Sequence, residues 1–309
     1  MQGIEPCKDN ILIYTDPQSG EKYGYFDGWA QEEDDPNPYF EYTGAGRGKQ
    51  GFDGPIGSRN RAIRDHVKDG RALRVFKADG KVAGSGTKNQ RYIGEFELDT
   101  EKPFVPRLAR NDEGETREVI VFRLRPVDAL EPTPKDSIKP LQKTEVLSAP
   151  ASEIRSTLIE TENNKNNIAT RKAIPGTSVH RREAILSDDF KEFLESHNHE
   201  VRRYQIRTGG LASSLQTDLY DTDAQVLYEA KGTCSREAIR MAIGQLMDYQ
   251  RHINPPNPTL AVLLPNRPQD DLVDLLNSVN INIVYRHEGH FVGWPIDSGP
   301  SQGSEGSTS

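Results

Sequence analysis

The stretch from Asp218 to Lys231 (DLYDTDAQVLYEAK) constrains the fold of this 309-residue chain more than any other. Its pattern around Asp221-Thr-Asp-Ala predicts two short strands joined by a turn. Side chains alternate along a strand, so Leu227, Glu229 and Lys231 share one face of the second strand. The sequence therefore predicts a charged cluster on one face of a sheet.

The position of the turn decides which residues oppose each other. With the turn centred between Thr222 and Asp223, Asp218 lies opposite Leu227 on the same face. Glu229 is then the diagonal neighbour of Asp218, at roughly 7–8 Å. We expect two carboxylates and one ammonium at this spot.

Two carboxylates this close can hold a hard divalent cation, Mg²⁺ or Mn²⁺, which activates water and polarises a phosphoryl oxygen. Asp218 and Glu229 are the expected metal ligands. Lys231 is expected to orient the water and offset charge at phosphorus. The alternative for Glu229 and Lys231 taken alone is a solvated salt bridge on an edge strand.

A helix follows from Ser235 to Ile253, with Ser235 as N-cap and apolar residues at helical spacing. Gln245 and Tyr249 are four residues apart and share a face. Together with Asp-x10-Glu-x-Lys, this arrangement resembles the PD-(D/E)xK nucleases, in their methyl-directed restriction subgroup. The resemblance implies supporting roles for Gln245, Tyr249 and Glu183, the last of these near the start of a helix from Arg181 to Ser196.

Strands and helices alternate through the rest of the second half of the chain, and a mixed sheet flanked by helices is expected there. The predicted strands after the Arg181–Ser196 helix are 200–206, 215–220, 225–231, 259–264 and 281–286, with a further helix at 269–280. The expected fold class is thus two-domain, α+β and α/β.

Composition excludes several classes of protein. The chain has no run of 18 apolar residues, so no membrane partner is expected. Only Cys7 and Cys234 are present, which gives no disulfide framework and favours the cytoplasm. No nucleotide-binding motif is visible, so we expect no nucleotide cofactor.

Charge is distributed unevenly along the chain. The net charge of the chain is -8, yet the stretch from Gly44 to Tyr92 holds twelve Lys and Arg against four Asp, a local balance of +8. A basic stretch on an acidic protein predicts a localised site for a polyanion. The alternative is a charged surface helix.

The N-terminal half carries a second resemblance. The motifs Tyr42-Thr-Gly-Ala-Gly, Gly51-Phe-Asp, Asn60-Arg-Ala-Ile-Arg-Asp-His and Leu73-Arg-Val-Phe are similar to those of SRA-like domains. Such domains precede nucleases in modification-dependent, type IV-like restriction endonucleases. The resemblance implies a curved sheet or barrel with helices, which reads 5-methylcytosine in double-stranded DNA by base flipping.

A flipped base needs aromatic faces and an acceptor for its amino group. The candidates for this modified-base pocket are the aromatic residues Tyr42, Trp29 and Tyr23, with Asp53 as acceptor. Basic residues that could contact DNA phosphates are Arg47, Lys49, Arg59 and Lys88.

We expect four segments: a reader at 1–128, a linker at 129–178, a nuclease at 179–296 and a disordered tail at 297–309. A short helix is expected within the linker from Ala149 to Glu162, after a proline-rich run. The expected function is Mg²⁺-dependent cleavage of DNA with modified cytosine, in defence against foreign DNA, by a homodimer at least on DNA. The alternatives are a non-catalytic reader, or a nuclease for another modification or for RNA.

Overall fold

The structure is a computed structural model that describes residues 3–31, 37–48, 50–100, 102–151, 175–210 and 214–296. The chain divides into two units. The first comprises Met1–Ala149 with Gln205–Leu215, and the second Pro150–Tyr204 with Gln216–Ser309. The segment Gln205–Leu215 thus belongs with the first unit, although the sequence places it inside the second domain. The predicted tail at 297–309 lies outside the described residues.

The first unit is built on one sheet with strand order β1-β2-β5-β6-β8-β4-β3, and β7 pairs with β8. Strands β2 and β5 are parallel, and the other pairs with a defined register are antiparallel. The strands are β1 Gly3–Pro6, β2 Asn10–Thr15, β3 Gly28–Ala30, β4 Tyr39–Thr43, β5 Ala72–Lys81, β6 Lys88–Leu98, β7 Phe104–Arg110 and β8 Thr116–Pro126.

Short helices join these strands. Helix α1 (Pro17–Gly20) leads into a 3-10 turn (Glu21–Tyr23), and α2 covers Gly54–Arg64. Burial of Ala62 and Ile63 holds α2 against the sheet. The sequence predicts a Gly/Lys loop at Gly80–Asn89, and the structure shortens it to residues 82–87, because β5 ends at Lys81 and β6 begins at Lys88 as the two arms of a hairpin. Its exposed polar residues give no apolar alternation from which strands could be predicted.

The second sheet is mixed, as expected, with order β11-β10-β12-β13-β14-β15-β16 and β9 paired with β10. Strands β13, β14 and β15 run parallel, whereas β12 is antiparallel to both β10 and β13. The elements are β9 Glu145–Pro150, α3 Pro175–Ser196, β10 Val201–Arg207, β11 Leu215–Gln216, β12 Leu219–Asp221, β13 Val226–Ala230, α4 Arg236–Tyr249, β14 Thr259–Leu264, α5 Asp270–Ser278, β15 Asn282–His287 and β16 His290–Val292.

Alternation along β13 separates a core face from a polar face. Val226, Tyr228 and Ala230 pack in one cluster with Phe190 and Leu194 of α3. The intervening side chains, which include Glu229, therefore point to the opposite face. One face of this strand thus packs against α3, whereas the other carries the buried Leu227 together with Glu229.

The observed register of the β12–β13 hairpin differs from the predicted one. Leu219 pairs with Tyr228, not with a residue two positions earlier. Continued by one residue, this register places Asp218 directly opposite Glu229, whereas the sequence placed it opposite Leu227. The two carboxylates are thus cross-strand partners, closer than the predicted diagonal.

The turn chemistry explains the shift. Asp221 Oδ1 accepts hydrogen bonds from the backbone N–H groups of Asp223 and Ala224, both at 3.0 Å. Gln225 adopts a left-handed φ of 54°. The turn therefore takes four residues and is centred after Asp223, not between Thr222 and Asp223.

The linker contains a strand that the sequence analysis missed. Leu147 and Ala149 of β9 are buried, and this alternation within six residues is typical of a strand. Of the helix predicted at Ala149–Glu162, the first two residues lie in β9, and residues 152–162 fall outside the described part. No helix among the described residues is long and apolar enough to cross a membrane.

Candidate functional site

Lys231 and Glu229 form a buried ion pair at the end of β13. Lys231 Nζ donates to Glu229 Oε1 at 2.7 Å, and the two residues are 5% and 3% exposed. Burial acts to lower the pKa of Lys231, but the carboxylates of Glu229, Asp218 and Glu183 raise it above its ordinary value. The lysine therefore stays an ammonium among three carboxylates, which excludes the solvated edge-strand salt bridge.

Asp218 is fixed to the same strand through the backbone. Ala230 N–H donates to Asp218 Oδ2 at 2.8 Å, and Arg203 Nε donates to the carbonyl of Asp218 at 3.1 Å. These contacts orient the carboxylate of Asp218 beside the Glu229 and Lys231 pair.

Helix α4 adds Gln245 and Tyr249. Ser235 caps the helix by accepting from Ala238 N–H at 3.2 Å, and Gln245 Nε2 donates to the Tyr249 hydroxyl at 3.2 Å. Burial, and next the charge of Glu229, raise the pKa of Tyr249, so its hydroxyl keeps its proton. The predicted shared face is observed, and it points to the charged cluster.

Glu183 reaches the site through contacts that the sequence does not signal. Gly232 N–H donates to Glu183 Oε1 at 3.3 Å, and Arg182 Nε donates to the Gly232 carbonyl at 3.1 Å. A Cβ at Gly232 would lie 2.5 Å from the carbonyl oxygen of Val179. Only glycine allows α3 to approach this closely. Gly232 and Arg182 are therefore positioning residues that the sequence analysis missed, although a glycine directly after Glu-x-Lys was a visible clue.

The donor set suits a hard divalent cation. Asp218 and Glu229 supply adjacent carboxylates, the chemistry that Mg²⁺ and Mn²⁺ prefer. Among the residues that the structure describes, the buried Gln245 Oε1 has no hydrogen-bond partner. The residues present therefore fit a metal held by Asp218 and Glu229.

A second group of ligand-type side chains lies elsewhere, at the hairpin turn. His199 Nδ1 lies 2.6 Å from Asp221 Oδ2, and Asp223 Oδ2 accepts from Glu200 N–H at 2.7 Å. The ligand atoms of His199, Asp221 and Asp223 fall within 4.8 Å of one another. His199 and Asp221 are 22 residues apart, so sequence spacing does not indicate that they meet. Both carboxylates are already used to close the turn.

In the first unit, Gln50 and Asn60 hold the glycine loop after β4. Gln50 Nε2 donates to the Gly44 carbonyl at 2.7 Å, and its Oε1 accepts from Ile120 N–H at 2.9 Å. Asn60 bonds both backbone groups of Ala45, at 2.7 and 3.1 Å. A Cβ at Gly44 would approach Asn60 Oδ1 to 2.9 Å, so this glycine lets the network close.

The four predicted pocket residues do not come together as one buried set. Trp29 packs against Phe40 and Phe96 in the core. Tyr42 is also buried, and desolvation raises its pKa. Tyr23 is partly exposed, whereas the side chain of Asp53 is fully exposed and pairs with Arg61 at 3.7 Å.

The predicted phosphate contacts also differ in setting. Arg47 lies over the ring of Tyr23 at 5.6 Å, and Arg59 is exposed on α2. Lys88 forms an ion pair with Asp16 and donates to Ser19 Oγ at 3.1 Å, so it is held within the unit. Lys49 lies outside the described residues.

A buried carboxylate that the sequence analysis missed lies beside Tyr42. Asp27 accepts from the Thr15 hydroxyl at 2.6 Å and from Thr43 N–H at 2.8 Å. Burial raises its pKa to about 6, and the charge of Glu41 adds to this. Asp53, the aspartate that the motif indicated, is thus exposed, whereas Asp27 is buried.

The first unit also holds a cavity of about 220 Å³. Its lining includes Phe26, Thr43, Arg107 and Arg207, and the Arg207 guanidinium lies 3.8 Å above the Phe26 ring. None of the four predicted pocket residues lines it.

Together the two units define a class of protein. One unit is rich in strands and has a glycine loop that is fixed by hydrogen bonds. The other is a mixed α/β unit with a cluster of acidic residues and a lysine. The family described as "ScoMcrA-like, SRA domain" matches residues 1–146. This match covers 146 of the 309 residues and agrees with the resemblance found in the motifs of the N-terminal part. No curated protein matches the chain.

Several solved structures are similar to parts of the chain. "MspJI Restriction Endonuclease in Complex with 27-mer Oligonucleotide" is 12% identical, with 92% of this chain and 77% of that one covered, at a TM-score of 0.30. "DNA modification-dependent restriction endonuclease AspBHI" is 16% identical, at 0.29, with 43% of this chain covered. "Sulfur binding domain and SRA domain of ScoMcrA complexed with phosphorothioated DNA" is 19% identical, at 0.27, with 44% and 36% covered.

The chain spans only 65% of the AspBHI chain.

Proposed function

We propose that the protein is a metal-dependent endonuclease directed to DNA that contains modified cytosine, most simply 5-methylcytosine. The observation that carries this proposal is the convergence of Asp218, Glu229 and Lys231 with Gln245 and Tyr249 in one unit. The same chain bears an SRA-like domain in its other unit. The two halves of the proposal are therefore cutting by the second unit and reading by the first.

The residues of the cluster divide the work of phosphodiester hydrolysis. When bound by Asp218 and Glu229, Mg²⁺ or Mn²⁺ would lower the pKa of a bound water and polarise the phosphate. Lys231, kept protonated by its carboxylate neighbours, supplies positive charge where charge develops on the phosphate. Tyr249 keeps its proton and can donate a hydrogen bond.

Positioning falls to the contacts around the cluster. Glu183 and Gly232 tie α3 to the end of β13, so the ammonium of Lys231 is held in one place. Gln245 fixes the Tyr249 hydroxyl. Hydrogen bonds that hold these groups in place reduce the ordering that DNA binding must supply.

The reading step is proposed for the SRA-like domain by base flipping, which costs a few kcal/mol and exposes the methyl group to a pocket. Tyr23, Tyr42, Trp29 and Asp53 remain the proposed pocket residues. Discrimination of one methyl group is worth only about 1–3 kcal/mol in an apolar pocket. Strong dependence on modification therefore requires that binding be coupled to cleavage.

The decisive experiment compares cleavage of matched duplexes, unmodified or with 5-methylcytosine, in Mg²⁺, Mn²⁺ or EDTA. Lys231→Ala is the test variant, and Lys191→Ala, which removes a lysine from an α3 surface pair with Glu195, is the matched control. We expect metal-dependent cutting of methylated DNA by the wild type and the control alone. Cutting that ignores methylation would refute the reading half of the proposal.

A second candidate is a non-catalytic reader, because the family match covers only residues 1–146. Retained binding of methylated duplex by the wild type, with no cutting in either metal, would favour it. Duplexes with hydroxymethylcytosine or phosphorothioate, and RNA, belong in the same series, because the SRA match alone does not select the modification.

A further inference from the structure

The outward face of α4 carries exposed apolar side chains. Met241 is 63% exposed and Met247 is 36% exposed, although both are large hydrophobic residues. Gly244 lies between them, and a Cβ there would meet no atom within 4 Å. The opposite face, with Ala242 and Leu246, is fully buried. This helix is thus packed on one side and open on the other.

The open face has an unusual order of residues. Seven positions recur at spacings of three and four from Gly244, and so share one side of the helix. From the first turn of α4 to the 3-10 turn that follows the helix, they are Glu237, Arg240, Met241, Gly244, Met247, Asp248 and Arg251. All are exposed except Asp248, which is half-buried.

When the order of these seven residues is reversed, each residue faces one with which it can pair. Counting outward from Gly244, Met241 mirrors Met247 at three residues, and Arg240 mirrors Asp248 at four. At seven residues, Glu237 mirrors Arg251. Each mirrored pair is either apolar with apolar or positive with negative. A two-fold interface demands this pattern, because residue i must suit residue j and the reverse.

We propose that the outward face of α4 is an isologous interface with a second copy of this chain. The two helices cross antiparallel at Gly244, whose missing side chain lets the backbones approach. Met241 of each copy then packs on Met247 of the other, and Arg240 pairs with Asp248 across the contact.

Ion pairs within one chain compete only weakly with the proposed ion pairs between two copies. Asp248 already forms an ion pair with Arg251 of the following 3-10 turn, where the side chains of Arg251 and Asp248 are 64% and 38% exposed. Ion pairs at the protein surface contribute little to stability, so exchanging partners costs little. Arg240 and Asp248 cannot pair within one helix, because eight residues separate them by about 12 Å along the axis.

The size of the contact sets its strength. A helix of 14 residues is about 21 Å long, so one helix pair is smaller than a standard interface of about 800 Å² per partner. We expect weak self-association that becomes complete on DNA. The interface is inferred from α4 alone, whereas its purpose, cutting both strands, rests on the proposed function.

The test is sedimentation velocity over a concentration series, alone and with methylated duplex, with thermal melting to show that each variant folds. Arg240→Asp and Asp248→Arg should each weaken dimerisation at least tenfold, by setting like charges opposite each other. The double variant should recover most of the loss. Met241→Glu should also dissociate the dimer.

A wild type that stays monomeric even on DNA, or single variants that dimerise normally, would overturn the interface. A double variant no better than the singles would overturn the antiparallel pairing. Lys231→Ala, used at a temperature at which thermal melting shows it folded, separates this proposal from the catalytic one, since it should dimerise fully while failing to cut. A dimer with no cleavage under any condition contradicts only the proposed function.

Discussion

Ala230 N–H donates a 2.8 Å hydrogen bond to Asp218 Oδ2, so the carboxylate that precedes β12 is tied to the strand that carries Glu229 and Lys231. This bond sets the geometry of the charged cluster before any ligand arrives. Because the cluster is buried, its charges depend on one another for their stability. The predictions below use that dependence.

Removing either member of the Glu229 and Lys231 pair should destabilise the second unit strongly. Lys231→Met leaves a buried carboxylate uncompensated beside Asp218, and Glu229→Gln leaves the ammonium without its nearest partner. Breaking a buried pair costs about 3–5 kcal/mol, whereas replacing both partners costs far less. Urea unfolding in EDTA of both single variants and the double variant measures this coupling. Additive losses would show that the pair is not coupled.

Gly232→Ala should disable the site without touching a charged group. The new Cβ would meet the Val179 carbonyl at 2.5 Å, so the start of α3 must move away and Glu183 moves with it. We expect a stability loss of about 1–3 kcal/mol from overpacking and a fall in cleavage of about 100-fold from misplacement. Gly86→Ala is the control, because nothing lies within 4 Å of its added Cβ. Full activity in Gly232→Ala would contradict the role of Glu183.

How much the sequence could predict depends on whether the signal was local. Helical spacing correctly placed Gln245 and Tyr249 on one face, and strand alternation placed Glu229 with Lys231. The contact of Glu183 with Gly232 joins residues 49 apart, so no periodicity could reveal it. The hairpin register failed for another reason: the Asp221 side chain lengthens the turn, and propensity rules do not count side-chain bonds to the backbone.

The first unit shows the same limit. Tyr42-Thr-Gly-Ala-Gly identified the loop, but the aromatic content of the region could not separate core from pocket. Trp29 packs against Phe40 and against Phe96, and Phe96 lies 67 residues further along the chain. The buried Asp27 was missed because its partners, Thr15 and Thr43, lie 12 and 16 residues away.

Asn60 should be required to shape the glycine loop. Its amide bonds both backbone groups of Ala45 and also the Gly51 carbonyl, at 2.9 Å. Asn60→Ala leaves these partly buried groups without their partner, which we expect to cost about 1–3 kcal/mol. Asn60→Asp keeps the acceptor for Ala45 N–H but points a carboxylate at carbonyl oxygens, so it should also fail.

Binding of methylated duplex, measured by fluorescence anisotropy beside thermal melting, checks this prediction. The exposed Asn277→Ala in the second unit is the control. Undiminished affinity in both Asn60 variants would show that the loop does not contribute to binding.

Asp27 should make the first unit less stable as the pH rises toward neutrality. Burial raises the pKa of Asp27 from 3.8 to about 6. Below pH 3.8 the carboxyl is protonated in both the folded and the unfolded chain. Between pH 3.8 and 6 only the unfolded chain ionises, so the folded state binds more protons and its stability falls as the pH rises. The resulting decrease in the free energy of unfolding is roughly 3 kcal/mol and is complete above pH 6.

Asp27→Asn isolates this contribution. The amide oxygen still accepts from Thr43 N–H, and the amide nitrogen can donate to the Thr15 hydroxyl, so the contacts survive without a titrating group. Near pH 4, ionisation of Asp27 should contribute almost nothing to the difference in unfolding free energy between the wild type and the variant. The stability of the variant relative to the wild type should rise steadily up to pH 6 and remain at that level at pH 7. A constant difference across this range would mean that Asp27 is already ionised in the folded protein, and that the Thr15 and Thr43 hydrogen bonds outweigh its burial.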